Sequence, residues 1–372
     1  MKFSIDQGKL LEPLQKVIGA VERRQTMPVL GNILVEAGND QLTLTASDSD
    51  IELQAVISTP IDDAGVITIP ARKFLDICRS LPDTARVDIS QDGEQIKCKA
   101  GRSRFTLATL PAAEFPKIPP ITDGQTVTLP QAKLSQCIKA TAFSMALQDV
   151  RFYLNGMLME ISQGKLCCVA TDGHRLAYAE CETDAFPDEP VRAIIPRKSV
   201  GEIGRLLQSS TTDDEDEATV ELVVSAKHMQ ATLPGVRMVS KLIDGKFPDY
   251  NRVIPIDLDK ELLIDREILR QSLSRAAILS NEKYRGVRLS LVKGLLTVSS
   301  NNPDQEEAID EMEVDYAGES ADIGFNVTYL LDVLNTLETE SASINLKDGN
   351  SSALVMPQGS VEKKYVIMPM RL

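Results

Sequence analysis

The chain has 372 residues, 43% of them hydrophobic. No apolar run approaches the roughly 20 residues that a membrane-spanning helix needs, so a soluble protein with buried cores and no membrane partner is expected. Lys and Arg number 40 against 54 Asp and Glu, a net charge of −14, which excludes a uniformly basic surface for binding a polyanion.

The first element is a helix over residues 9–24, with Leu10, Leu14, Val17 and Val21 on one face. Strands follow at "ILVE" from residue 33 and "LTLTASD" from residue 42. A second helix over 70–81 presents Phe74, Ile77 and Leu81, and Asp92 with Gly93 marks a tight turn. After the Pro-rich "FPKIPPITDG" from residue 115 the same order recurs. The helix over 130–147 carries Leu134, Ile138, Thr141 and Met145; "MLME" starts at 157 and "LCCVATD" at 166; the helix over 196–207 carries Val200, Ile203 and Leu207. Beyond "FPDYNRVIPIDLD" from residue 247 comes a third round. Leu269, Leu273 and Ala276 mark a helix over 266–280, "VRLSLV" and "LTVSSNN" give strands from 287 and 296, and Leu330, Val333 and Leu337 mark a helix over 327–338. A turn pair, Asp348 and Gly349, follows "SINLKD".

The repeat step is therefore about 125 to 130 residues, the size of a domain rather than of a solenoid unit. Alternating strands with tight turns predict antiparallel sheets with one buried face, and two helices per copy cover that face. The fold class is thus α+β in three similar domains, 1–124, 125–253 and 254–372, divided where Pro and polar residues cluster. Asp48, Asp172 and Asn302 hold one slot in the three copies. That slot reads as a turn whose side chain bonds nearby backbone.

Charge is distributed unevenly. Counting Lys and Arg against Asp and Glu gives +2 in each of the first five helices and −2 in 327–338, so the helices total +8 of a chain at −14, leaving −22 elsewhere. Helix propensity does not explain this, because Glu favours helices as well as Lys does. Helices turned to one surface and sheets to the other would make a basic inner face and an acidic outer one. Helices packed about 10 Å apart leave an opening of roughly 9 Å if six form a ring and roughly 28 Å if twelve do. Only the larger admits a duplex whose major groove alone is about 12 Å wide. Two chains joined head to tail supply twelve helices.

Along its whole length the chain resembles the β subunit of bacterial DNA polymerase III, the sliding-clamp family. The segments carrying the resemblance include "PARKFLDICRSLP", "GRSRFTLATLPAAEFP", "FSMALQDVRFYLNGML", "VATDGHRLA", "KLIDGKFPDYNRV", "ILSNEKYRGVRL", "NNPDQEEA", "GFNVTYLLDVLNTL" and the terminal "YVIMPMRL", in the family's order. The resemblance implies a DNA-clamp fold: a head-to-tail homodimeric ring, helices inside and antiparallel sheets outside, encircling double-stranded DNA. It also implies tethering of the replicative DNA polymerase, with the clamp loader, other polymerases and repair proteins binding through short peptides.

Three sets of residues follow from it. A partner-peptide pocket would comprise Leu154, Thr171, Gly173, His174, Arg175, Leu176, Pro248, Arg252, Val253, Tyr284, Asn326, Tyr329, Ser352, Val366, Met368, Pro369, Met370 and Arg371. Leu, Val and Met suit an adaptable apolar floor, and Arg175 or Arg252 suits acidic or carbonyl groups. For "VIMPMRL" by itself the plainer reading is a core strand with a frayed end. DNA contacts would come from Arg24, Arg72, Gln148, Tyr153, Arg197 and Lys198, independent of base sequence. Phe152 stands where family members often carry a second tyrosine, which removes any role for a hydroxyl there. The ring contact would pair Lys73, Ile77, Arg102, Arg104, Phe105 and Leu107 with Ile278, Leu279, Glu306 and Glu307, apolar at the centre and oppositely charged around it.

Other classes of function fit less well. "TDGHR" sets Asp172 and His174 two residues apart, as a general base would invite, yet the chain has only two His and no nucleophile elbow or phosphate-binding glycine loop. A non-enzymatic protein without metal or cofactor is expected. The six Cys, at 78, 98, 137, 167, 168 and 181, form no C-x-x-C pair and read as reduced, mostly buried thiols. The N-terminus "MKFSIDQGKLL" lacks the apolar core of a signal peptide, which predicts a cytoplasmic address. The acidic "SSTTDDEDE" from residue 209 reads as a solvated exterior loop rather than a metal site. A protein-binding scaffold that never encircles DNA shares the triplication and differs only in its behaviour on DNA.

Overall fold

A computed structural model describes residues 1–21, 27–209 and 218–371. Within them six helices are each entered directly from a strand: α1 (Gln7–Val17), α2 (Ala71–Ser80), α3 (Gln131–Thr141), α4 (Arg197–Ser209), α5 (Arg266–Ile278) and α6 (Val327–Thr336). Pro70, Pro130 and Pro196 end the strands before α2, α3 and α4, where a missing N–H costs no ladder bond. The two helices of the third round start on side-chain caps instead. Asp265 accepts from the Ile268 amide at 2.8 Å and Asn326 from the Thr328 amide at 2.9 Å, satisfying donors that have no partner inside the helix.

The periodic apolar positions are buried as expected. Leu10, Leu14, Val17, Leu134, Ile138, Thr141, Met145, Leu269, Leu273 and Ala276 lie in the interior, as do Val200, Ile203, Leu207, Leu330, Val333 and Leu337. Three expectations need correction. The helix expected over 130–147 ends at Thr141 and runs on only as a 3-10 turn over Ala142–Ser144. The first helix ends at Val17 and runs on only as a 3-10 turn over Ile18–Ala20, so it does not reach residue 24. In α2, Leu75 and Cys78 join Phe74 in the core while Ile77 is half-buried, which turns the apolar stripe by part of a residue's step around the axis.

Among the described residues every strand pairing is antiparallel, in four sheets. They divide between two compact units, Met1–Ala132 with Gly201–Leu242 and Lys133–Val200 with Ile243–Leu372. The first unit holds a five-stranded sheet in the order Ile61–Asp63, Lys2–Asp6, Arg86–Asp92, Gln95–Ala100, Ser103–Ala108. Its eight-stranded sheet runs Gln125–Pro130, Thr219–Val224, His228–Leu233, Val236–Lys241, Ile51–Ser58, Gln41–Ser47, Asn32–Gly38, Gly65–Pro70. The second unit holds an eight-stranded sheet, Val191–Pro196, Gly156–Ser162, Lys165–Thr171, Arg175–Glu182, Lys363–Ile367, Ala353–Pro357, Ser341–Leu346, Lys260–Asp265. It also holds a four-stranded one, Glu307–Glu313, Leu295–Asn301, Gly286–Val292, Ala321–Asn326. Each long sheet is continuous across two sequence repeats, because Val239 pairs with Glu52 and Leu176 with Val366. That continuity is why the units cut across the repeats.

The turns behave as their residues dictate. Gly93 takes φ +60 in the two-residue turn that closes Asp92 against Gln95. The shared polar slot forms the same local turn three times. Asp48 Oδ1 accepts from the amides of Asp50 and Ile51, Asp172 Oδ1 from those of His174 and Arg175, and Asn302 Oδ1 from those of Asp304 and Glu306. In both Pro-rich segments the Phe of the "FP" step is buried, Phe115 beside Val29, Leu30 and Leu34, and Phe247 beside Leu158, Val169 and Leu176. All six cysteines are free thiols and five are buried, with Cys167 half-buried. No described helix is long and apolar enough to cross a membrane.

Candidate partner-binding site

The residues nominated for a peptide pocket all lie in the second unit, some of them around the junction of strands Arg175–Glu182 and Lys363–Ile367 and others along a separate cavity. Leu176 and Val366 face each other there and belong to one apolar cluster with Leu158, Val169, Tyr178, Ile194, Phe247 and Leu354. Val253 and Tyr153 pack against it from the side, only partly buried. Leu154 and Thr171 are buried, whereas Pro248, Tyr329 and Ser352 are half-buried. An apolar floor with an incompletely covered rim is what a short hydrophobic peptide needs.

The tail supplies the rim. Tyr365, Val366 and Ile367 are core, as the plain strand reading predicts, but the end is not frayed. The Met368 amide donates to the His174 carbonyl at 3.0 Å and the Met370 amide to the Gly324 carbonyl at 2.7 Å. Met368 is left 41% exposed, so a flexible thioether is presented on a pinned backbone. Beyond it Met370 and Arg371 line a cavity of about 240 Å³ with Asn281, Tyr284, Gly286 and Asn301. Asn326 donates to the Tyr284 carbonyl at 3.3 Å and so holds one wall of that cavity.

The two nominated cations differ. Arg252 is 87% exposed and paired only with Asp249 at 3.0 Å, free to meet a peptide carbonyl or carboxylate. Arg175 is nearly buried and already engaged: Nε donates to Asp172 at 3.1 Å, Nη1 to Asp332 at 2.5 Å and Nη2 to the Phe143 carbonyl at 2.8 Å. Its guanidinium also lies over the rings of Phe143 and Tyr329. Arg175 is thus held by groups of the fold while still lining a cavity with His174 and Tyr329. Phe143 and Asp332 escaped sequence reasoning, since neither lies near Arg175 in the chain.

Gly173 is favoured by its conformation, with φ +88, and the Arg151 guanidinium lies close by, its Nη2 2.8 Å from where a Cβ would sit. Arg151 in turn pairs with Asp149 at 2.9 Å and holds that carboxyl down at about 2, chiefly through the side-chain hydrogen bond. Asp172 spends one oxygen on two amides and the other on Arg175, so it does not serve His174 as a catalytic partner. Among the described residues no group of His, Cys, Asp and Glu is placed to hold a metal ion.

The DNA nominees scatter. Arg24 lies outside the described residues, as does the acidic stretch from 210 to 217. Arg72 donates to the Val21 carbonyl at 3.0 Å, and Arg197 donates to the Met145 carbonyl at 2.7 Å. Arg197 lines a cavity of about 290 Å³ together with His174, Arg175 and Tyr329. Lys198 opens α4 beside it, and Gln148 sits in a left-handed turn at φ +55. Tyr153, nominated for DNA, is partly buried against the apolar cluster around Leu176 and Val366. The strand holding Arg104, Phe105 and Leu107 and the strand opening on Glu307 each end a sheet, Phe105 and Leu107 half-buried and Ile278 76% exposed. Ile278 is therefore not a core residue. Lys73, Arg102 and Glu306 are exposed, and Leu279 is half-buried.

Sequence comparison decides what this site belongs to. The N-terminal, central and C-terminal domain profiles of the DNA polymerase III beta subunit match residues 1–119, 128–249 and 251–371. The chain belongs to the DNA polymerase III beta subunit family. The beta sliding clamp of Pseudomonas putida is 49% identical over 374 residues and that of Escherichia coli K12 is 44% identical over 374, each covering 100% of both chains. A crystal structure of the Pseudomonas aeruginosa sliding clamp superposes with a TM-score of 0.95 at 47% identity over 100% of both chains. Another from that organism, bound to griselimycin, gives 0.94 at 48% identity, again over 100% of both. This clamp accordingly has the three-domain α+β sliding-clamp fold and the role of a clamp for DNA polymerase III.

Proposed function

We propose that the clamp closes head to tail with a second copy into a ring of six domains, bounded at 1–124, 125–253 and 254–372 in each chain. The ring encircles duplex DNA without reading its sequence and tethers the polymerase, the clamp loader and repair proteins by their peptides. The observation that carries it is a pair of terminal strands of opposite charge, two of the eight sheet ends among the described residues. Ser103–Ala108 ends one sheet with Arg104 exposed and Arg102 just before it, and Glu307–Glu313 ends another with Glu306 and Glu307 exposed and Ile278 exposed at the end of the adjoining α5. A terminal strand offers backbone groups to another chain, and opposite charges around apolar centres favour one register. Over their observed spans five of the six helices are net positive and α6 alone is negative, which supports a cationic lining for DNA.

The peptide pocket is the partly covered rim of the cluster around Leu176 and Val366, where Met368 is exposed, and Arg252, paired with Asp249 yet 87% exposed, is a cation within reach of a ligand. Griselimycin bound to the P. aeruginosa clamp supports a ligand-binding pocket in this family. No catalytic step is assigned, and the protein acts in the cytoplasm. Two measurements test this. Solution mass must give two chains per particle. A loaded clamp must stay on salt-washed circular DNA and slide off a linear end, whereas a scaffold held by charge alone leaves both equally as salt rises. A monomer, or equal loss from both DNAs, overturns the reading.

A further inference from the structure

The nominated pocket includes Arg175 but not the groups that hold it. We propose that Asp332 is a positioning residue for the partner-peptide site, acting through Arg175 on the turn at residues 171–175. This rests on the peptide-site reading above.

Asp332 lies on α6, and its Oδ2 accepts from Arg175 Nη1. The same guanidinium bonds Asp172 Oδ2 and the Phe143 carbonyl, and its plane is held between the Phe143 and Tyr329 rings, 5.2 Å and 4.6 Å from their centroids. A guanidinium whose side chain is only 11% exposed keeps its charge by being paired on every side, so the carboxylates determine where it sits. Asp172 Oδ1 meanwhile accepts from the amides of His174 and Arg175, which sets the path of the turn. The His174 carbonyl then accepts from the Met368 amide, which sets the path of the tail. A continuous chain of hydrogen bonds thus runs from α6 through Arg175 and Asp172 to the rim of the site. Asp332 is not part of the apolar cluster, and this chain of hydrogen bonds links its side chain to the rim.

With Asn at 332 the guanidinium loses one of its two carboxylates and is left to Asp172, the Phe143 carbonyl and the two rings. The turn then shifts relative to Tyr329, taking His174 and Met368 with it. Expressed as binding, the loss is on the order of tenfold, the scale of one charge-assisted hydrogen bond.

The test measures griselimycin affinity by calorimetry for the unmutated clamp, Asp332→Asn, Asp332→Glu, Arg175→Ala and the double variant Asp332→Asn with Arg175→Ala. Asp332→Asn is expected to bind about tenfold more weakly, with the unliganded melting temperature moved by no more than about 3 °C. Asp332→Glu is expected to recover most of that loss. The double variant is expected to bind no more weakly than Arg175→Ala, because Asp332 acts only through Arg175. Should Arg175→Ala not fold, Arg175→Lys, which keeps the charge and loses the fork, takes its place in the cycle. Asp332→Asn binding within twofold of the unmutated clamp, or losses that multiply in the double variant, overturns the proposal. Absence of binding by the unmutated clamp removes the peptide site itself, and is told apart because it appears before any substitution.

Discussion

The amide of Met368 donates to the carbonyl of His174 at 3.0 Å, so the segment after the last strand is pinned to the turn at residues 171–175. Chain beyond Ile367 is therefore anchored separately from the core strand that precedes it, and a binding role for it can be tested without disturbing that strand.

Deleting Pro369 to Leu372 removes the Met370 anchor on Gly324 and the Met370 and Arg371 side of the neighbouring cavity. Tyr365, Val366 and Ile367 stay buried in the sheet. The expected outcome is an unchanged particle mass by light scattering and loss of griselimycin binding by titration. Unchanged affinity would refute the assignment of the tail.

Ile278 at the end of α5 is 76% exposed and Leu279 is half-buried, so truncating both empties little of the core. Ile278→Ala with Leu279→Ala is expected to give a folded monomer in sedimentation, with its far-ultraviolet spectrum preserved. A dimer that persists at micromolar concentration would remove these residues from the ring contact.

Tyr365 is fully buried, and its hydroxyl has no hydrogen-bond partner among the described residues. Burial pushes its ionisation well above the ordinary phenol value. A buried unsatisfied hydroxyl costs about 1 to 3 kcal/mol. Tyr365→Phe keeps the ring packed on Phe143 and is expected to stabilise the protein by about 1 kcal/mol, read as a higher thermal midpoint. A lower midpoint would show that the hydroxyl is satisfied in solution.

Asp149 is held at about 2 from an ordinary 3.8, first by the Arg151 side chain and then by its backbone amide. Because the folded value is depressed, the group's contribution to stability is complete above about pH 4 and is lost as pH falls through about 2. Carboxyl carbon shifts followed by NMR should titrate near 2 in the unmutated clamp and higher in Arg151→Ala, though still below the ordinary 3.8 because the amide of residue 151 goes on donating. Equal midpoints would dissolve the pair.

Legibility in the sequence followed the range of the interaction. The burial of Leu10, Leu14 and Val17 and of their counterparts in the later copies depends on helical spacing alone, and the turns at Asp48, Asp172 and Asn302 on bonds reaching two to four residues along the chain. Ile77 shows the limit even there, since the packing of α2 puts Leu75 and Cys78 in the interior ahead of it.

By itself the sequence determined the triplicate α+β plan, the apolar faces and the polar turns, because each rests on residues within a few positions of one another. Only the tertiary structure decided that the long sheets run across two repeats, that Arg175 is committed to Asp172, Asp332 and the Phe143 carbonyl, and that Tyr153 packs with the peptide-site cluster. Those contacts join segments far apart in the chain, and which partner a buried charge or ring finds is settled by geometry that spacing does not encode.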